Sequence, residues 1–165
     1  MKTQKTPSQT KKALLDNLTN LIEEENAHAS LDKALKDKPF KLLGEKKEGL
    51  PYSIWQLAEH IRIAQWDIME FSKSDKHISP KWPDEYWPKE TAPASEKEWK
   101  NCIQQIKSDR KEFINLLNKS GDDLYKPFEH GDGQSLLKEA LVLADHNSYH
   151  TGEIIMLRRL LNAWK

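Results

Sequence analysis

The stretch QSLLKEALVLADHNSYHTGEIIMLRRLLNA, residues 134–163, carries the most informative pattern for predicting the fold. It reads as one long helix, in which His146 and His150 stand four residues apart. Side chains at i and i+4 lie on one face of a helix, and this face continues through Leu143 and Leu157. Because the face looks buried, its two imidazoles need either hydrogen-bond partners or a shared ligand.

Three more segments have the apolar spacing of amphipathic helices, and they cover residues 8–29, 53–73 and 95–119. Ser53 is the expected N-cap of the second helix. Ser95 and Glu98 match the capping-box pattern at the start of the third. With residues 134–163, these segments give four long helices.

The connections complete the predicted architecture. The link over residues 30–52 is expected to hold a short helix around 31–36. The link over residues 74–94 contains four prolines and several aromatic residues, so we expect it to pack across the helices. Strand signals are weak and there are no internal repeats. The sequence therefore predicts an all-α four-helix bundle with long connections after helices one and two, as one domain over 1–165 with a flexible tail over 1–7.

Composition excludes several classes of function. The chain has 165 residues, with 26 lysines and arginines against 26 aspartates and glutamates. A nucleic-acid-binding protein usually carries a basic excess or a basic stripe, and this sequence has neither. No apolar run is long enough for a membrane span, and the first residues lack the apolar centre of a signal peptide. We therefore expect a cytoplasmic protein with no nucleic-acid or membrane partner, in which the single Cys102 is structural.

A third histidine falls on the core stripe of the second predicted helix. His60 aligns there with Leu57 and Ala64. Three neutral imidazoles that converge inside a bundle can hold a divalent metal and leave a coordination position open. The alternative is that buried histidines are satisfied by neighbouring carbonyls or hydroxyls. The pair on the last helix is not the HExxH signature of metalloproteases, because Asn147 occupies the position of the general base.

The other histidines have simpler interpretations. His77 and His130 lie in predicted loops and are expected to be solvated. His28 lies near the end of the first predicted helix, where a cation suits the helix dipole.

These motifs resemble those of the DinB-like (DinB/YfiT-like) superfamily of metalloenzymes. The resemblance is carried by LPYSIWQLAEHIRIAQWDIMEF, SPKWPDEYWP and LADHNSYHTGEIIMLRRLLNAW. It implies a four-helix bundle whose metal ligands are one histidine on helix two and an HxxxH pair on helix four. Those ligands fall here on His60, His146 and His150. The implied cofactor is one divalent metal, with zinc as the first choice and nickel or iron as alternatives.

The resemblance also implies a class of chemistry. Characterised members of the superfamily are thiol-dependent transferases and isomerases that use low-molecular-weight thiols such as bacillithiol or mycothiol. We therefore expect a thiol-dependent S-transferase, or a metal-dependent hydrolase, that acts on a small-molecule substrate. The alternative is a non-catalytic bundle that binds metal or forms a homodimer.

Several residues around the predicted metal are candidates for supporting roles. Asp67 and Glu153 share helix faces with His60 and His150, and each could accept a hydrogen bond from a ligand or act as a base. Tyr149 could bind a ligand at the mouth of a pocket. The six tryptophans could line an apolar pocket, but we favour their attaching the long loop to the bundle.

Overall fold

The computed structural model describes residues 7–37 and 39–164, and these residues form five α-helices. The helices are α1 (Pro7–Glu23), α2 (Leu31–Leu35), α3 (Ile54–Lys73), α4 (Glu96–Lys119) and α5 (Leu136–Leu160). The four long helices pack as a bundle in which α3 contacts α4 and α5, and α1 contacts the same two helices from the other side. The predicted all-α class is confirmed. Of the predicted tail over 1–7, all but Pro7 lies outside the described residues.

Serine side chains begin the three longest helices. The hydroxyls of Ser53, Ser95 and Ser135 each accept a hydrogen bond from the backbone N–H three residues later, as N-caps do. Ser53 forms a full capping box with Gln56. The predicted box at Ser95 forms only in part, because the Glu98 carboxylate accepts from the backbone N–H of Ala94 instead.

The first helix ends at Glu23 rather than near residue 29. The side-chain amide of Asn26 donates to the backbone carbonyls of Asn20 and Glu24, at 3.0 and 3.3 Å. The Asn20 carbonyl also accepts from the backbone N–H of Glu24, whereas the Glu24 carbonyl, which a further turn of helix would use, is taken by the Asn26 side chain. His28 consequently lies beyond the helix, exposed, and its predicted place at the helix end is wrong.

The apolar core has two parts that lie at opposite ends of the α3–α5 contact. One part contains the apolar residues between Ile54 and Ile61 of α3, with Ile154 and Leu157 of α5. The other contains Met69 of α3 with buried apolar residues between Leu136 and Ala144 of α5. The antiparallel packing of these helices leaves the segments around His60 and around 146–150 between the two parts. A layer of buried polar side chains therefore crosses the middle of the bundle.

The long connection between α3 and α4 packs along α3, as its aromatic content predicts. The Ser53 hydroxyl donates to the carbonyl of Thr91, and the Gln56 amide donates to the carbonyl of Pro88. Trp87 lies parallel to Tyr52, with ring centroids 3.7 Å apart. These contacts hold the loop against the N-terminal half of α3, next to His60.

Two further expectations concern the whole chain. Cys102 is buried in the core, and burial raises the pKa of its thiol, which agrees with a structural role. In the part of the chain that the structure describes, no helix has both the length and the apolar character that crossing a membrane requires.

Candidate metal centre

Three histidines from two helices converge at the middle of the bundle. α3 supplies His60, and successive turns of α5 supply His146 and His150. The ring centroids lie 4.5–4.9 Å apart. One ring nitrogen from each histidine lies within 4.8 Å of the other two. The i,i+4 pair and the single histidine on a facing helix thus meet as the sequence predicts.

The outer nitrogens of two of these rings have fixed acceptors. His60 Nδ1 lies 2.9 Å from the backbone carbonyl oxygen of Tyr86. His150 Nδ1 lies 2.6 Å from Oε2 of Glu153. Since a carbonyl and a carboxylate only accept, each Nδ1 carries the proton in these contacts. Each Nε2 then carries a lone pair, as in metal-bound histidines, and that of His60 faces His146 Nε2 within the cluster.

Burial keeps the three imidazoles neutral. Desolvation, followed by the neighbouring His150, lowers the pKa of His146 to about 4. Desolvation, followed by His60, lowers the pKa of His150 to about 4. The pKa of His60 is also lowered, chiefly by burial. Neutral imidazole is the form that binds a metal, so at neutral pH no proton has to be displaced.

The donor set fits a divalent transition metal. Imidazole nitrogens suit zinc, nickel and iron. His60 Nε2 and His146 Nε2 are 3.0 Å apart. Two nitrogens at ordinary zinc–nitrogen distances in a tetrahedral site are separated by about 3.3 Å. The two rings would therefore need only a small displacement to share an ion.

A family comparison agrees with this arrangement. The model of the DinB superfamily matches residues 13–154, which include all three histidines. The chain belongs to the DinB superfamily. A search of curated proteins and a search of solved structures each gave no match.

Asp67 reaches the histidine cluster only indirectly. Its carboxylate accepts a hydrogen bond of 2.6 Å from the Tyr86 hydroxyl and lies 2.7 Å from His77 Nε2. Tyr86 in turn offers its backbone carbonyl to His60. Asp67 thus holds the residue that orients a ligand, and does not contact the ligand itself.

The interpretation of His77 as a solvated loop residue is wrong. Its side chain is only 8 % exposed because it packs edge-on against Trp66 and contacts Asp67. His130 is exposed, and its Nε2 lies 2.9 Å from the carbonyl oxygen of Phe71. Neither histidine is part of the three-histidine cluster.

Three aromatic residues lie around the cluster, two from the loop between α3 and α4 and one from α5. Trp87 lies parallel to the His60 ring at 3.8 Å, so it attaches the loop to the bundle and covers one ligand. Trp82 lies at 6.4 Å from His60 and is 71 % exposed. Tyr149 packs edge-on against His150 at 4.9 Å and is 66 % exposed. Two exposed aromatic side chains therefore flank the cluster.

Two buried amides were missed by the sequence analysis. Gln65 of α3 is fully buried, and its Oε1 accepts a hydrogen bond of 3.1 Å from the Asn147 side-chain amide. The sequence analysis considered Asn147 only as the residue that replaces the glutamate of the HExxH motif. A signal was available, because Gln65 lies four residues from both Ile61 and Met69 and so shares a helix face with them.

Proposed function

We propose that this chain is a metal-dependent enzyme that acts on a small molecule, with one zinc ion held by His60, His146 and His150. The observation that carries the proposal is a cluster of three neutral imidazoles, two buried and one half-buried, to which the nearby carboxylates do not contribute. In the described residues, Asp67 is bonded to Tyr86 and His77, and Glu153 to His150. A site with three protein ligands leaves a position for substrate, whereas structural zinc sites usually have four protein ligands.

The protein groups in this proposal hold and orient the ligands. Glu153 and the Tyr86 carbonyl keep the Nδ1 protons on two rings, so that Nε2 stays available. Trp87 excludes water from one face of His60. A zinc ion in such a site supplies Lewis acidity, which favours the anionic form of a thiol or of water at neutral pH.

We favour thiol-dependent transfer over hydrolysis. A hydrolase of this type is helped by a free base that takes a proton from water, and both carboxylates near the cluster already have partners. A thiol has a pKa of about 8.5 and needs much less activation than water. The exposed rings of Trp82 and Tyr149 offer apolar contact to a small electrophilic substrate.

The first test is metal content. Protein made without a histidine tag and purified without nickel is compared with His150→Ala by elemental analysis. His28→Ala is the matched control, because His28 is exposed and outside the cluster. We expect about one zinc per chain in the wild type and the control, and a large loss in His150→Ala, since two ligands hold a metal poorly. A wild type that stays metal-free after zinc is added would overturn the proposal.

The second test is transfer of a thiol. The zinc-loaded protein is assayed with a low-molecular-weight thiol and an electrophile such as chlorodinitrobenzene. Zinc-dependent consumption of the thiol, lost in His150→Ala and kept in His28→Ala, would support a transferase. Full zinc occupancy without transfer or hydrolysis of any substrate tested would favour a non-catalytic metal-binding bundle.

A homodimer is the second candidate, and one surface of α5 favours it. Four exposed apolar side chains lie within about 100° of the helix circumference, and they are Leu141, Tyr149, Met156 and Leu160. Tyr149 is near the middle of this stripe, so an antiparallel copy of α5 could pair with it about a two-fold axis.

Sedimentation equilibrium tests this second candidate. Met156→Glu should shift the protein from dimer to monomer, whereas Leu21→Glu, at an exposed leucine of α1, should not. A wild type that is monomeric at all concentrations would exclude the dimer.

A further inference from the structure

His146 differs from the other two histidines in what faces its outer nitrogen. Its Nδ1 lies 3.5 Å from Oδ1 of Asn147, the side chain next to it on α5. An amide has an accepting end and a donating end. By itself, Asn147 could therefore favour either tautomer of the imidazole.

A chain of buried amides removes that ambiguity. The backbone carbonyl of Ile106 can only accept, and it lies 2.6 Å from Gln65 Nε2, which must donate to it. Gln65 Oε1 is then the end that faces Asn147 Nδ2, at 3.1 Å. Asn147 consequently turns Oδ1, an acceptor, toward His146 Nδ1.

Burial makes this direction costly to reverse. Gln65 is 0 % exposed and Asn147 is 8 % exposed. A reversed Gln65 would place its oxygen against the carbonyl oxygen of Ile106 with little water available to compensate. A buried polar group that loses its partner costs about 1–3 kcal/mol, so one amide orientation dominates.

We propose that Gln65 and Asn147 are positioning residues that hold His146 in the Nδ1–H tautomer, so that its Nε2 lone pair faces the metal. The proposal rests on the metal site proposed above. It has a specific consequence at the contact between His146 Nε2 and His60 Nε2, which are 3.0 Å apart. The carbonyl of Tyr86 already keeps the proton of His60 on Nδ1, so His60 Nε2 carries a lone pair. The amide chain does the same for His146, so it opposes a direct histidine–histidine hydrogen bond and favours a shared cation.

Zinc affinity, measured by competition with a chromophoric chelator, gives the first test. Asn147→Leu replaces the amide with an apolar side chain of similar size, and we expect affinity to fall about 10- to 100-fold. Gln65→Met should lower affinity by a smaller factor, because Asn147 remains but can reverse. Gln105→Met, at an amide of α4 that bonds Asp109, is the control and should leave affinity unchanged.

The double variant shows whether Gln65 acts on His146 through Asn147 or whether the two amides act independently. If Gln65 acts through Asn147, Gln65→Met should have no further effect on zinc affinity in the Asn147→Leu background. Asn147→Asp in the Gln65→Met background should restore affinity, because a carboxylate has no donating end to reverse. Additive losses of zinc affinity in the double variant, or no rescue by aspartate, would show that Gln65 does not act through Asn147.

Nitrogen NMR of the metal-free protein tests the tautomer without any metal. At a pH where imidazole is neutral, His146 should carry its proton on Nδ1 in the wild type. In Asn147→Leu the proton should move to Nε2, where it can be donated to His60. A wild-type proton on Nε2 would overturn the positioning role. A proton on Nδ1 in a wild type that binds no zinc would instead uphold that role and refute the proposed function.

Discussion

Acid should destabilise the metal-free protein through His146. The pKa of this imidazole is lowered from 6.5 to about 4 in the folded state, mainly by burial and then by His150. Between these two pH values the unfolded chain therefore binds more protons than the folded chain at this position. The free energy of unfolding contributed by His146 is intact above pH 6.5 and falls as the pH decreases toward 4.

The size of the effect follows from the two pKa values. Between about pH 7.5 and about pH 5, a fully realised shift lowers the free energy of unfolding by about 2 kcal/mol. The ring of His146 is partly accessible, so screening by solvent reduces the expected loss to about 1–2 kcal/mol. Replacing His146 with glutamine removes the titrating group and keeps a polar side chain of similar size. In His146→Gln, the decrease in unfolding free energy between the two pH values should therefore be smaller by about 1–2 kcal/mol than in the wild type.

Urea denaturation in the presence of a chelator measures this loss of unfolding free energy. Unfolding free energies are compared at the two pH values for the wild type and for His146→Gln. Burial raises the pKa of the buried acids Glu139 and Asp109, and both titrate in the same way in the two proteins. Their contribution therefore cancels in the difference. Equal acid sensitivity in the two proteins would refute the assigned pKa shift and the dry environment from which it comes.

The other predictions concern the metal, the loop and the core. Zinc at about 100 times its Kd should raise the free energy of unfolding by about 2.7 kcal/mol in the wild type and leave His60→Ala unchanged in thermal melts. Asp67→Ala should release the loop, so amide hydrogen exchange should become faster over residues 77–87 and stay the same in α4. Phe113→Ala, at a fully buried position, should cost about 3–5 kcal/mol in chemical denaturation. Ser53→Ala should cost about 1 kcal/mol in the same assay, through loss of an N-cap.

Much of the fold could be predicted because its signals are local. Apolar spacing and the caps Ser53 and Ser95 place α3 and α4 within one residue of their observed starts. The end of α1 could not be placed, because it depends on how the Asn26 side chain folds back onto two carbonyls. Nothing in the spacing of that segment distinguishes it from another turn of helix.

The candidate site likewise has parts that the sequence predicts and parts that it does not. His60, His146 and His150 could be found because helical spacing fixes which side chains share a face. The acceptor for His60 is a backbone carbonyl at Tyr86, in an irregular loop, and a backbone group leaves no trace in residue type. The contact between Asp67 and His77 was missed for a related reason, because an irregular loop brings His77 to Asp67 and no helical spacing predicts it.

The polar layer bears on how the bundle would hold the proposed metal ion at its centre. In the tautomers proposed above, three acceptor nitrogens turned toward one another repel, so the layer stabilises the metal-free fold poorly. The two apolar parts of the core lie on either side of it, and they hold α3 and α5 together without its help. A cation at the centre reverses the sign of these interactions, because each lone pair that repelled its neighbours then attracts the ion. Metal binding should therefore stabilise the middle of the α3–α5 contact more than its ends, which already have their full apolar packing.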